Sequence, residues 1–179
     1  IFNGAEPISV SLCQRFMHAL EPFKLPINAM FPVYGLAEAS LAVTFPSLEN
    51  RFATITINRS ALGVGQPVQV LQSDDESGVA FVSVGQPVSG VEVQISDASG
   101  NALPDQSTGH IWIRGDNVTG GYYREPDLNK EIINSEGWLN TGDLGFFYDN
   151  QLYITGRAKD IIFVSGQNVY PHDLEEIVL

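Results

Sequence analysis

Asn28-Ala29-Met30-Phe31-Pro32-Val33-Tyr34-Gly35-Leu36-Ala37-Glu38-Ala39-Ser40-Leu41-Ala42-Val43 changes texture halfway along. Residues 28–33 are apolar and predict a short buried strand that runs into Tyr34-Gly35. Residues 36–42 are rich in good helix formers and predict a helix beyond the glycine. Strand, turn and helix in that order form a unit of the α/β kind. An aromatic at the strand end and a carboxylate four residues on then project toward the crevice at the strand's carboxyl end, where α/β folds bind ligands. Tyr34 offers a face on which a base can stack, and an exposed Glu38 can hold Mg2+. Standing alone, the same pentapeptide reads more simply as a packed Tyr and a solvated Glu.

Upstream, Pro7 suits the first turn of a helix in which Ile8, Leu12, Phe16 and Leu20 form one apolar stripe, and Glu21-Pro22 ends it. Downstream, from 52 to 154, short β runs alternate with Gly, Pro, Asp and Ser; examples are 80–84, 91–95, 110–114 and 151–154. Such spacing predicts a small sheet or barrel. Residues 126–134 predict a short surface helix with Pro126 near its first turn. Residues 160–164 are apolar and β-branched, and Pro171 is expected to start a last helix. Val-Gly-Gln-Pro-Val occurs at 64–68 and again at 84–88; two copies do not make a solenoid, and the echo reads as coincidence.

Length and composition bound the function. The 179 residues are 44% hydrophobic and 17% charged, which describes one globular domain or little more and excludes a disordered chain. Nine Lys and Arg against 21 Asp and Glu give a net charge of −12, a poor complement to phosphate backbones or anionic lipids. Binding to nucleic acid or to a membrane surface is therefore not expected. Cys13 is the one cysteine and permits neither an internal disulfide nor a cysteine metal site. No apolar run reaches the length of a membrane span and no signal peptide opens the chain, so a cytoplasmic protein is expected. The apolar pair Ile1-Phe2 at one end and the amphipathic pattern over 175–179 at the other predict an interior piece of a longer protein.

Other chemistry is thinly spread. Trp138-Leu139-Asn140-Thr141-Gly142-Asp143-Leu144 reads as a tight turn carrying one carboxylate, which can accept two hydrogen bonds from a vicinal diol such as that of a ribose. By itself it is an ordinary turn Asp. Gly156-Arg157-Ala158-Lys159-Asp160 crowds two cations and an anion after a strand; Arg157 can grip a diol or phosphate, or simply form a salt-bridged linker. Residues 115–121 hold three glycines without the dinucleotide spacing, and no P-loop is present. His18, His110 and His172 lack metal-ligand spacing, and no Gly-x-Ser-x-Gly elbow supports a serine nucleophile. Asp74-Asp75-Glu76 reads as a solvated loop.

The order of these segments is more specific than any one of them. Asn3-Gly4-Ala5-Glu6-Pro7, Tyr34-Gly35-Leu36-Ala37-Glu38, Gly109-His110-Ile111-Trp112-Ile113-Arg114-Gly115 with Gly121-Tyr122-Tyr123, the segment 138–144 and the segment 156–160 follow one another. This series resembles the adenylate-forming superfamily of acyl-CoA synthetases, peptide-synthetase adenylation domains and luciferases, over residues 4–176. Ala37 stands where most members carry Thr, and 34–43 looks like the fatty acyl-AMP ligase branch. Residues 167–175 are similar to that branch's Asn-x-Tyr-Pro segment. The connection from Glu38 to Gly85-Gln86-Pro87 is long, as in fatty acyl-AMP ligases, whose insertion here is thought to disfavour the rearrangement that admits CoA.

The resemblance implies a mixed α/β fold with three parts. Residues 1–51 would end the α/β subdomain of a large N-terminal domain, 52–158 would form a β-rich, barrel-like subdomain, and 159–179 would be the hinge and start of a C-terminal lid. The implied reaction joins a fatty acid to ATP, giving acyl-AMP and pyrophosphate, with an acyl carrier protein as acceptor. ATP and Mg2+ are implied, and no tightly bound cofactor. By similarity Gly4, Ala5 and Glu6 would line the adenine site, Tyr34 beside Gly35 would stack on the base, and Glu38 would ligate Mg2+. Asp143 would hold the ribose hydroxyls with Arg157, and Lys159 would be the hinge. Ala37 lacks a hydroxyl for a phosphate oxygen. Pro32 replaces an Asn that in some adenylation domains bonds the adenine amino group, so base recognition would rest on backbone atoms. The family's phosphate loop would precede Ile1 and its catalytic lysine would follow Leu179, so the chain alone is expected not to catalyse adenylation. Three alternatives stand beside this reading: an acyl-CoA synthetase, a non-catalytic nucleotide-binding relative, and an unrelated acidic β-rich binding module.

Overall fold

The computed structural model of the chain describes residues 1–164 and 167–169. Its first half contains β1 (Phe2–Asn3), α1 (Val10–Leu20), β2 (Phe31–Pro32), β3 (Tyr34–Leu36), β4 (Leu41–Phe45), β5 (Thr54–Asn58), β6 (Val70–Leu71) and β7 (Gly78–Val82). Next come β8 (Gln86–Pro87), β9 (Val91–Ser96), β10 (Gly109–Gly115), α2 (Pro126–Ile132), β11 (Leu139–Tyr148), β12 (Gln151–Arg157), β13 (Ile162–Val164) and β14 (Gln167–Val169). The expected helix from Pro171, and most of the 167–175 segment, lie outside the described residues.

Strands dominate this mixed α/β fold. β1 and β2 pair in parallel. Antiparallel sheets run in the orders β3-β4-β8, β6-β5-β7 and β12-β11-β10-β9, and β13 pairs with β14. The sheets stay open, and no closed barrel forms among the described residues. The three-stranded sheet of the 54–82 segment is instead stitched to β12: Ser83 bridges to Tyr153, Val84 N–H donates to Leu152 O at 2.9 Å, and Leu152 N–H donates to Gly85 O at 2.8 Å.

Helix α1 begins later than Pro7 suggested. Ser9 is its N-cap, accepting from Leu12 N–H at 3.3 Å. It stops where expected, because Pro22 cannot extend it and Lys24 turns left-handed at φ 61°. The predicted stripe is not the buried one. Val10, Cys13 and Met17 face Met30, Phe52 and Val82, joined by Ile8, while Leu12 and Phe16 remain exposed. An alternative apolar face existed at three- and four-residue spacing, and the packing partner lies on that side.

Two further expectations are corrected. Residues 36–42 are not a helix: Ala37–Ala39 is a single 3-10 turn, and β4 returns antiparallel along β3. Ser40 and Leu41 take positive φ, 48° and 90°, which reverses the chain. Gly35 makes the hairpin possible, since a Cβ there would lie 1.7 Å from Leu41 O. The strand before it is also shorter than read, covering only Phe31–Pro32. Residues 138–144 are largely strand rather than tight turn, because β11 runs ten residues from Leu139 to Tyr148 with a bulge at Leu144/Gly145.

The main core joins the β3–β4 hairpin to the four-stranded sheet through Ala39, Val43, Ile111, Ile113, Leu139 and Leu152. A second cluster seats Ile55, Ile57, Leu62 and Phe81 of the 54–82 segment on Phe146 and Tyr153. The two Val-Gly-Gln-Pro-Val copies share a left-handed glycine, Gly65 and Gly85. The second pairs with β4 in a sheet and the first makes only an isolated bridge to Ser107, so they form no repeat.

Candidate functional site

The site is built where the parallel strands end. β1 and β2 are in register as Phe2 with Phe31 and Asn3 with Pro32, so both chains leave the sheet side by side at their carboxyl ends. Gly4-Ala5-Glu6 exits from one and Val33-Tyr34 from the other, tied by Val33 N–H donating to Asn3 O at 2.8 Å. The approach requires Gly4: a Cβ there would meet Val33 O at 2.8 Å. Ala5 follows at φ 71°, and Ala5 and Glu6 are exposed.

Tyr34 reaches across from this edge. Its phenol donates to Asp143 Oδ2 at 2.7 Å, and its ring belongs to the main core at 8% exposure. Arg157, opposite Asp143 in the β11–β12 register, donates from Nε to Asp143 Oδ1 at 3.1 Å. Thr141 orients the carboxylate's own backbone, accepting from Asp143 N–H at 3.1 Å while its hydroxyl donates to Ile111 O at 2.9 Å. Burial pushes the Asp143 carboxyl up, against the Tyr34 hydrogen bond and the Arg157 charge that pull it down; the Glu38 charge pushes the same way as burial. Burial first, then the Asp143 charge, holds the Tyr34 phenol well above the usual tyrosine range, so it stays a donor. Each Asp143 oxygen carries one hydrogen bond and keeps acceptor capacity for a vicinal diol.

Glu38 stands on the turn after β3, half-buried. The Tyr122 phenol donates to its Oε1, and Oε2 takes no hydrogen bond among the described residues. The loop after β10 straps the whole turn. Asn117 Nδ2 donates to Ala39 O at 2.7 Å and to Ala42 O at 3.0 Å, Thr119 N–H donates to Glu38 O at 2.7 Å, and Ser40 Oγ donates to Asn117 O at 3.0 Å. Asn117 gave no sequence signal, because it acts through the backbone of distant residues, and Thr141 stood within a quoted motif without a role of its own. Tyr122 stood within a quoted motif but had no role until its partner was visible.

Glu38 thus offers one hard oxygen that takes no hydrogen bond among the described residues. No group of three His, Cys, Asp or Glu side chains gathers among the described residues. That donor set suits Mg2+, which keeps most of its waters and needs only one or two protein carboxylates when phosphates complete its shell. It does not suit a resident metal cage. His18 pairs with exposed Glu21, and His110 lies on β10 with its pKa pushed down by burial, so neither joins the site. Lys159 lies in the turn after β12, whose start is fixed by Ala158 N–H donating to Gly142 O at 2.9 Å. No helix among the described residues is long and apolar enough to cross a membrane.

Comparison with known proteins identifies the family. The AMP-binding enzyme family matches residues 1–123. The chain is 42% identical over 194 residues to the long-chain-fatty-acid–AMP ligase FadD32 of Mycolicibacterium smegmatis, covering 98% of the chain and 30% of that protein. It is 36% identical over 183 residues to the medium-chain-fatty-acid–[acyl-carrier-protein] ligase JamA of Moorena producens, covering 97% of the chain and 31% of that protein. Among solved structures it superposes on a fatty acyl-adenylate ligase from L. pneumophila in complex with acyl adenylate and pyrophosphate. The TM-score is 0.81 and the identity 34%, over 98% of this chain and 31% of that one. The chain therefore spans about a third of the length of the relatives it matches. The chain belongs to the AMP-binding enzyme family.

Proposed function

We propose that this chain forms part of an ATP-dependent ligase that activates a fatty acid as acyl-AMP, releases pyrophosphate and passes the acyl group to an acyl carrier protein. The observation that carries the reading is the convergence of Tyr34 and Arg157 on Asp143, with Glu38 close enough for its charge to act on that carboxylate, beyond the carboxyl ends of β1 and β2. Gly4, Ala5 and Glu6 present backbone to the adenine, with Tyr34 and Gly35 forming the wall against the base. Asp143 accepts the ribose hydroxyls through its remaining lone pairs, held in place by Tyr34 and Arg157. Glu38 binds Mg2+, which when present offsets charge on the phosphates as pyrophosphate leaves. Ala37 supplies no hydroxyl to those phosphates, so their contacts fall to backbone and metal.

The division at 52 and 159, with Lys159 as hinge, belongs to the same proposal. Its support is the seating of the 54–82 sheet on Phe146 and Tyr153, with Ile161, two residues past Lys159, packed against the same cluster. A sheet anchored there restrains the chain beyond the hinge, which favours the carrier-protein acceptor over CoA. The test incubates the complete ligase with ATP, Mg2+, a fatty-acid panel, CoA and a carrier protein, with products read by mass spectrometry. Acyl-AMP and acyl-carrier product without acyl-CoA is the expected result. Acyl-CoA as the main product makes the protein a CoA ligase, and no adenylate with any acid favours a nucleotide-binding relative without turnover.

A further inference from the structure

We propose that Tyr122 is a positioning residue that aims the Glu38 carboxylate at a divalent cation, an inference that rests on the reading of Glu38 as the metal-binding group. A glutamate on a turn ordinarily samples several rotamers, and ordering it on metal binding costs conformational entropy. Here the phenol already holds Oε1, which leaves Oε2 as the oxygen without a hydrogen bond among the described residues and favours a one-oxygen ligand. The backbone that carries the phenol is itself fixed from behind. Tyr122 N–H donates to Asn129 Oδ1 at 2.7 Å, and Asn129 Nδ2 donates back to Tyr122 O at 2.9 Å, so a side chain of α2 grips both faces of one residue. Gly121 lets Asn129 approach, because a Cβ there would lie 2.7 Å from its amide carbon. The same loop straps the Glu38 turn through Asn117 and Thr119, so donor and acceptor ride on one rigid unit.

A purely structural role fits less well. Tyr122 is 41% exposed and belongs to none of the buried clusters, so its ring contributes little to the core. Groups that orient a ligand from behind commonly change metal affinity when removed, by about tenfold or more.

The test uses the complete ligase with Mn2+ in place of Mg2+ and α,β-methylene ATP as the nucleotide, with free Mn2+ read from its electron paramagnetic resonance signal. Tyr122→Phe is expected to weaken the Mn2+ dissociation constant about tenfold with melting temperature unchanged. Turnover is expected to return to the wild-type rate at high Mg2+, with KM for the fatty acid unaltered. Asn129→Ala, which keeps both partners but frees the Tyr122 backbone, is expected to weaken Mn2+ in the same direction. Mn2+ binding within twofold of wild type in both variants, while Glu38→Gln binds it poorly, overturns the proposal. A uniform rate loss at every Mg2+ concentration does so too. An unaltered constant in Glu38→Gln overturns the metal reading of Glu38 itself, and this inference falls with it.

Discussion

Asp143 is a carboxylate that the fold buries and then compensates only in part. Its two hydrogen bonds favour the charged form, yet burial wins and the carboxyl titrates above its usual range. A raised folded pKa means that the stability linked to Asp143 is fully present below the unfolded value and is lost as pH rises through the folded one. Asp143→Asn is therefore expected to flatten the fall in stability from about pH 4 upward, since the unfolded carboxyl titrates near about 3.9. Urea unfolding of both forms across that range checks it, and parallel curves would sink the idea. The same variant is expected to bind ATP poorly, because an amide offers a diol one acceptor oxygen instead of two. Cys13 gives a cleaner case. Its thiol is 3% exposed and burial pushes it up against the Asn3 amide that pulls it down, so a disulfide reagent should modify it only after unfolding.

At the scale of elements, the β3–β4 hairpin shows where local preference loses. Residues 36–42 favour helix by composition, but two left-handed residues and the Gly35–Leu41 approach fold them back into a strand. What decides is tertiary: Ala39 and Val43 are fully buried, and Asn117 donates to the carbonyls of Ala39 and Ala42 and so pins both sides of the reversal. Asn117→Ala leaves those carbonyls short of a donor and is expected to cost about 1–3 kcal/mol, seen as faster amide exchange over 39–45. Gly35→Ala is expected to do worse, since the clash is with backbone that cannot swing aside. The strands at 91–95, 110–114 and 151–154 were legible in the sequence because their apolar runs are bounded by turn residues, as was the helix opened by Pro126. β5 lies in the 52–154 stretch read as short β runs, though its bounds were not singled out. In the site, the types and order of Tyr34, Glu38, Asp143 and Arg157 were readable. The straps from Asn117, Thr141 and Tyr122 were not, because hydrogen bonds spanning some 30 to 84 residues leave no local pattern.

Across the whole molecule, three clusters share the work of cohesion. The 54–82 sheet depends on the second of them, where the Phe146 ring stacks on Tyr153 at 5.2 Å and meets Phe81 edge-on at 6.1 Å. Phe81→Ala is expected to cost about 3–5 kcal/mol and to loosen that sheet selectively. In the complete ligase, acyl-CoA should then appear beside acyl-AMP if the seating of this sheet is what excludes CoA. Unchanged products would separate acceptor choice from that packing.

The uncovered side of α1 has a consequence in bulk solution. Leu12 and Phe16 on the helix, and Phe23 and Ile27 in the segment after it, are all exposed, the last two at 79% and 64%, on a molecule that carries −12 overall. Such a particle is a charged colloid with sticky spots on its surface. At low ionic strength mutual repulsion keeps copies apart, and the range of that repulsion shrinks from about 30 Å at 0.01 M salt to about 8 Å at 0.15 M. Dilute buffer should therefore hold the isolated chain as single particles, while sodium chloride alone, with no change of fold, should make its scattered light rise.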